Sequence, residues 1–255
     1  MMQFCSGRKA GLARTFGPLG IALCAVCFIL SAAIGQAAFE TVPPSAARNT
    51  SREVGLAKPI DVSTADLMKA PVGSNWASYN GDYTGRRYSA LNQINTTNVG
   101  HLAAQWVFHV TNSNRLEMTP QVIDGVMFVT AANDCYALDA TTGRLIWHYS
   151  RPITQGLIDD ASSHHNRGIA IWHDRLFMET DNAHLLSLDV RSGNLLWDTT
   201  YANTTSANYG ATSSPLVLKD EVLVGTSGGD DGVRGFLAAF DAKTGKELWR
   251  FWTIP

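Results

Sequence analysis

Ala137-Leu138-Asp139-Ala140-Thr141-Thr142-Gly143-Arg144-Leu145-Ile146-Trp147 decides the fold, because the chain repeats it twice. The second copy is Ser187-Leu188-Asp189-Val190-Arg191-Ser192-Gly193-Asn194-Leu195-Leu196-Trp197. The third is Ala239-Phe240-Asp241-Ala242-Lys243-Thr244-Gly245-Lys246-Glu247-Leu248-Trp249. Their Trp residues stand 50 and then 52 positions apart, and Asp, Gly and Trp keep fixed mutual offsets in all three. Self-similarity at a fixed period marks a repeat architecture. Each copy reads the same way in physical terms. An apolar strand ends at Asp, whose carboxylate can cap a turn. Gly supplies the positive φ that a short hairpin needs. The next strand carries a Trp bulky enough to fill the gap between neighbouring units.

A further hairpin pattern precedes each copy, at residues 122–129, 169–178 and 216–224. That gives four short strands per repeat, the plan of a β-propeller built from four-stranded blades. Leu102-Ala103-Ala104-Gln105-Trp106-Val107-Phe108 reads as the outer strand of one more blade. The expected fold is therefore all-β: an incomplete β-propeller of Trp-containing repeats, with about three to four blades present. Propellers close with roughly four to eight blades, so the chain is expected to be the N-terminal portion of a longer protein.

Composition agrees with this class. Of 255 residues, 45% are hydrophobic and only 16% charged, with 22 Gly and 9 Pro, which excludes a disordered chain or a charge-laced coiled coil. A net charge of −2 gives no basic footprint for nucleic acid. At the start of the chain, Arg8, Lys9 and Arg14 precede an apolar run from Phe16 to Ile34, and Gly35-Gln36-Ala37 offers small residues for cleavage. Residues 1–37 thus read as a signal peptide, with a retained membrane anchor as the alternative. Cleavage removes three basic residues and no acidic one, taking the net charge from −2 to −5, and leaves Cys135 as the sole cysteine. Residues 38–72, rich in Pro, Ser and Ala, read as a mobile lead-in with one helical turn or two near Ser63–Met68, capped by Ser63 or Thr64. Residues 73–255 form the propeller domain. The expected location is periplasmic or secreted.

The opening segment Trp76-Ala77-Ser78-Tyr79-Asn80-Gly81-Asp82-Tyr83 through Gln93-Ile94, with Glu117-Met118-Thr119-Pro120, Asn166-Arg167-Gly168 and Gly232-Val233-Arg234-Gly235, is specific. With these pieces the chain resembles the quinoprotein alcohol dehydrogenases, which carry pyrroloquinoline quinone (PQQ) in an eight-bladed propeller. The resemblance covers residues 74–255. It implies an exported oxidoreductase that oxidises an alcohol or related small hydroxyl compound and passes electrons to a periplasmic acceptor such as a cytochrome c.

The resemblance also assigns residues. Glu117 corresponds to the family's acidic cofactor contact and Arg167 to the Arg that meets a cofactor carboxylate or carbonyl. Thr212 and Ser227 stand at the positions of hydroxyls that bond the quinone, and Gly228 and Gly229 would let the backbone lie flat near its ring. Asp230 stands where the family has a Glu ligand for calcium or a lanthanide ion. It is one methylene shorter, which alters its reach. The vicinal Cys pair that the family stacks on the quinone is Ala161-Ser162 here, with His164 and His165 close by. The family's general base lies beyond Pro255, so no catalytic residue is assigned and the chain alone is not expected to turn over. Without the resemblance, Glu117 and Arg167 read as a structural ion pair and the 227–232 segment as a polar turn. Two other readings remain open: a non-enzymatic periplasmic scaffold or binding protein of the outer-membrane assembly type, and a quinoprotein relative without its cofactor.

Overall fold

The computed structural model describes residues 55–255, apart from positions 112, 114, 205 and 206 and the side chain of residue 160. The expected signal peptide and the lead-in up to residue 54 lie outside the described residues. Three antiparallel four-stranded sheets follow one another along the chain, each with its strands in sequence order. The first holds β1 (Gln121–Ile123), β2 (Val126–Ala131), β3 (Asp134–Asp139) and β4 (Leu145–Ser150). The second holds β5 (Ile169–Trp172), β6 (Arg175–Glu179), β7 (His184–Asp189) and β8 (Leu195–Thr200). The third holds β9 (Leu216–Leu218), β10 (Glu221–Gly225), β11 (Phe236–Asp241) and β12 (Glu247–Trp252). These are the blades of an unclosed propeller, as the repeat predicts.

The repeated turn behaves as its residue types dictate. Asp139 Oδ1 accepts hydrogen bonds from the backbone N–H of Thr141 and Thr142 and from the Thr142 hydroxyl at 2.9–3.1 Å. Asp189 does the same with Arg191 and Ser192, and Asp241 with Lys243 and Thr244. The Thr142 hydroxyl first, and then the backbone donors, hold the Asp139 carboxyl below the usual range; Thr244 does so for Asp241. Gly143, Gly193 and Gly245 adopt φ of 70°, 73° and 71°. Each also leaves room for a ring. A Cβ at Gly193 would stand 2.6 Å from the Trp147 indole, and one at Gly245 would stand 2.7 Å from that of Trp197. The indole N–H of Trp147 donates to Val190 O at 3.1 Å, and that of Trp197 to Ala242 O at 3.2 Å. Asp shapes the turn, Gly permits both its backbone and the stacked ring, and Trp from the preceding sheet lands on it.

Trp106 docks in the same manner, with Nε1 on Ala140 O at 3.2 Å and its ring over Gly143. Yet residues 102–110 form no strand, contrary to the expected outer strand. A strand needs a paired backbone to complete its ladder, and the side-chain contacts hold the segment without one. A second relation recurs between the last two strands of each sheet. Asp134 pairs with His148 at 2.7 Å in the first sheet, and His184 with Asp198 at 2.5 Å in the second. In the third, Arg250 lies 3.9 Å over the Phe236 ring. The same two positions thus hold an imidazole against a carboxylate in either order, or a guanidinium against an aromatic face. Burial pushes the Asp198 carboxyl up, but the contacts from His184 and Arg151 more than offset this and leave it lowered.

The part of the lead-in that is described is docked, not loose. Ala57, Ile60, Val62 and Leu67 are buried in the common core. Val62 and His173 exchange backbone hydrogen bonds, and Ala57 N donates to Arg191 O at 2.8 Å. Helix α1 (Thr64–Met68) has Ser63 as N-cap in a reciprocal capping box with Asp66, which agrees with the sequence reading. The opening segment then crosses the first strands of the sheets. Trp76 N donates to Val122 O at 2.7 Å, and the Tyr83 hydroxyl donates to Val217 O. Apolar positions in a Pro- and Ser-rich stretch suffice for docking once the turn faces of two sheets stand beside them.

Candidate cofactor site

In each sheet the first and third turns lie side by side. Ala140 N donates to Gly125 O, Val190 N to Asp174 O and Ala242 N to Asp220 O, at 2.9–3.0 Å. The second turn and the connections between sheets therefore emerge at the opposite end. Every candidate residue sits there. Glu117 precedes β1, Arg167 precedes β5, Thr212 precedes β9, and Ser227 to Asp231 join β10 to β11.

Arg167 draws three of these connections together. Its Nη2 stands 3.1 Å from Glu117 Oε2, and its Nη1 donates to Thr212 O at 2.6 Å. Its backbone carbonyl accepts from Thr119 N at 3.4 Å. Glu117 has a second neighbour, His165, whose Nε2 stands 3.4 Å from Oε1. That ring also meets Arg115 Nη1 at 2.8 Å. Arg167 meets the carboxylate directly and Arg115 reaches it only through His165, so the cluster holds two permanent guanidinium charges and one carboxylate, a balance suited to an anion. His164 turns the other way, with φ of 52° and Nδ1 3.3 Å from Asp181 Oδ2. Ala161 is buried and Ser162 lies in a 3-10 turn, Asp159–Ser163.

The 227–231 connection is tied to the same end by an isolated bridge. Ser227 and Gly210 exchange backbone hydrogen bonds at 3.1 and 3.2 Å. The hydroxyl oxygens of Thr226 and Ser227 are buried with no hydrogen-bond partner. Buried polar atoms are nearly always bonded, so these two hydroxyls keep unused bonding capacity. Both residues line a cavity of about 600 Å³, together with Val233, Arg234 and Ile254. Gly228 has φ of 105°, and a Cβ there would stand 2.8 Å from Asn208 O. Its glycine is required by the loop's own path. At Gly229 a Cβ would meet nothing within 4 Å.

Asp230 and Asp231 are exposed in the short 3-10 turn Gly229–Asp231. With Asp159 and Ser163 they line a separate cavity of about 280 Å³. Among the described residues no three His, Cys, Asp or Glu side chains are grouped as a metal site. Cys135 is fully buried, and burial pushes its thiol far up, so it is packing material and not a nucleophile.

Four participants escape a reading of spacing alone: Arg115, Asn166, Glu179 and Ser213. Asn166 is buried, with Oδ1 accepting from Thr130 Oγ1 at 2.6 Å and Gly168 N at 2.9 Å. Ser213 Oγ donates to Glu179 Oε1 at 2.8 Å. One signal was present in the sequence: an acid closing the apolar run Leu176-Phe177-Met178.

The family model for the glucose, ethanol and alcohol dehydrogenase β-propeller domain, a PQQ family, matches residues 76–255. Over 191 residues the chain is 37% identical to the dehydrogenase subunit of the quinone-type alcohol dehydrogenase of Gluconacetobacter polyoxogenes, covering 71% of this chain and 26% of that protein. It is 38% identical to the lanthanide-dependent methanol dehydrogenase of Methylacidiphilum fumariolicum, covering 72% of this chain and 30% of the relative. The solved quinohemoprotein alcohol dehydrogenase ADHIIG of Pseudomonas putida superposes with a TM-score of 0.71 at 36% identity, covering 78% of this chain and 30% of that one. The chain spans between a quarter and a third of the length of the curated relatives it matches.

Proposed function

The chain belongs to the PQQ β-propeller family of alcohol dehydrogenases, and on that premise we propose that it forms one wall of a PQQ site. The whole protein would be an exported dehydrogenase that oxidises an alcohol or a related small hydroxyl compound. The observation that carries this reading is the convergence of Glu117, Arg167 and Thr212 from the starts of three successive sheets.

The donors present fit an anionic group rich in carbonyls. Arg167 offers a fixed charge and a planar fork to a carboxylate or carbonyl. Glu117 holds that guanidinium from one side and the Thr212 carbonyl holds it from another, so the fork is oriented before a ligand arrives. The partnerless Thr226 and Ser227 hydroxyls would gain hydrogen bonds on binding. Gly228 brings the backbone close without a side chain, and Gly229 leaves open space beside it. When bound, the quinone would accept the hydride from the substrate carbon. The chain's own task is to hold, orient and charge-balance that group.

Asp230 would supply one hard oxygen ligand to a calcium or lanthanide ion. The lanthanide choice is supported by the name of one relative. The described residues do not make a complete shell, and no step is derived through the ion. Electrons would leave through a periplasmic acceptor such as a cytochrome c.

Full-length protein supplied with PQQ and either calcium or a lanthanide should reduce a dye in the presence of alcohols. Arg167→Ala should weaken quinone binding by about 2 kcal/mol, the loss expected for a charge-assisted hydrogen bond, as read by fluorescence titration. No quinone uptake and no dye reduction under any metal would leave the scaffold reading in place.

A further inference from the structure

We infer that Glu179 is a positioning residue for the quinone wall, fixing Thr212 and Arg167 through Ser213 and Asn166. This rests on the cofactor reading above and deepens it. Glu179 closes β6 and is fully buried. Its Oε1 accepts from Ser213 Oγ at 2.8 Å, while Oε2 is buried with no hydrogen-bond partner. Its backbone carbonyl accepts from Asn166 Nδ2 at 3.1 Å. Asn166 in turn holds Gly168 N at 2.9 Å, so the residues on both sides of Arg167 are pinned. Ser213 adjoins Thr212, whose carbonyl receives Arg167 Nη1 at 2.6 Å. Glu179 therefore joins the two halves of the wall from beneath, through its side chain on one half and its backbone on the other.

Burial is what favours the neutral acid here, since the Ser213 hydrogen bond by itself favours the ionised form. Burial pushes the Glu179 acid up to about 7, with Ser213 and Tyr201 pulling partly the other way. The Asn166 amide meets its backbone carbonyl; the groups facing the carboxyl are the Ser213 hydroxyl from the segment before β9 and the Tyr201 hydroxyl just after β8. Burial first and Glu179 second hold that phenol well above its usual value. The Arg250 guanidinium is engaged at 2.9 Å with the Tyr201 carbonyl. Loss of the proton leaves a buried anion held by the Ser213 hydroxyl. Solvating that anion requires the Thr212–Ser213 segment to move.

The test uses the full-length protein, PQQ as the probe, and the variants Glu179→Gln and Ser213→Ala. Quinone affinity is measured at about pH 6 and about pH 9, on either side of the carboxyl's titration. In the quinone-free protein, the Arg167 side-chain N–H resonance is followed over the same range. The wild type should bind roughly tenfold more weakly at the higher pH, and its Arg167 resonance should shift with a midpoint near the Glu179 value. Glu179→Gln should bind at both pH values as the wild type does at the lower one, with a stationary resonance. Ser213→Ala should bind more weakly at both. A Gln variant that keeps the wild-type pH dependence in affinity and resonance overturns the positioning role. A wild type that takes up no quinone overturns the cofactor reading, while the Arg167 resonance, read without quinone, still decides the role of Glu179.

Discussion

The first and third sheets carry the same turn and the same tryptophan, yet their outer strands live in different surroundings. In β4, Trp147 and Tyr149 are buried, with Trp147 at 0% exposure. In β12, Trp249 is 39% exposed and Phe251 63%. The difference is the neighbour. The turn around Gly193 lands on Trp147, whereas among the described residues no turn lands on Trp249. Its indole N–H instead donates to Glu221 Oε2 at 3.0 Å, within its own sheet. An identical motif therefore contributes to stability in proportion to what the next repeat places over it, as nearest-neighbour energetics in repeat proteins would have it.

Substitution of the two tryptophans is the most direct way to break this comparison. In a chain of these 255 residues, Trp147→Ala should cost about 3–5 kcal/mol in denaturant unfolding, as large-to-small changes in a packed core do. Trp249→Ala should cost less than about 1 kcal/mol. Equal costs would mean that sheet-internal packing, not docking, carries the motif.

A pH titration sharpens the contrast between covered and uncovered sheets. The Glu179 acid, raised by burial to about 7, binds its proton more tightly folded than unfolded. Its stabilising contribution is therefore full below the ordinary carboxyl value and is lost as pH rises through about 7. The loss amounts to roughly 3 kcal/mol. Melting curves between acid and mildly alkaline pH should show this decline in the wild type and not in Glu179→Gln.

Two glycines separate turn geometry from empty space. Gly193→Ala places a methyl against the Trp147 ring in a backbone region with φ of 73°. It should destabilise by about 2–3 kcal/mol, from left-handed strain and overpacking together. Gly229→Ala meets nothing within 4 Å and should change stability by no more than about 0.5 kcal/mol. Any effect of that variant on quinone affinity would then report on the ligand alone.

The Asp-to-Gly turns and the fifty-residue period were legible because they are local. An Asp two and three residues before its donors needs no distant partner to fold as it does. The docking of residues 57–67 was not legible, since their burial depends on turn faces of two sheets that only the assembled fold brings to them. The same holds for the outer strand expected at 102–108. Its apolar pattern was real, but ladder pairing is a property of a neighbour. The candidate site was legible only through resemblance, because Glu117, Arg167 and Thr212 are spaced 50 and 45 residues apart with no motif linking them.

By itself the sequence determined the blade: four short strands, a capped turn, a glycine with room for a ring, and a tryptophan to fill it. Those features rest on hydrogen bonds and backbone preferences spanning a few residues. The tertiary structure alone decided which side chains meet at the far end of the sheets. It turned His165 toward Glu117 and His164 toward Asp181, and it buried Glu179 beneath the wall. The reason is that packing and desolvation act between residues distant in the chain, and burial, not identity, makes a glutamate hold its proton.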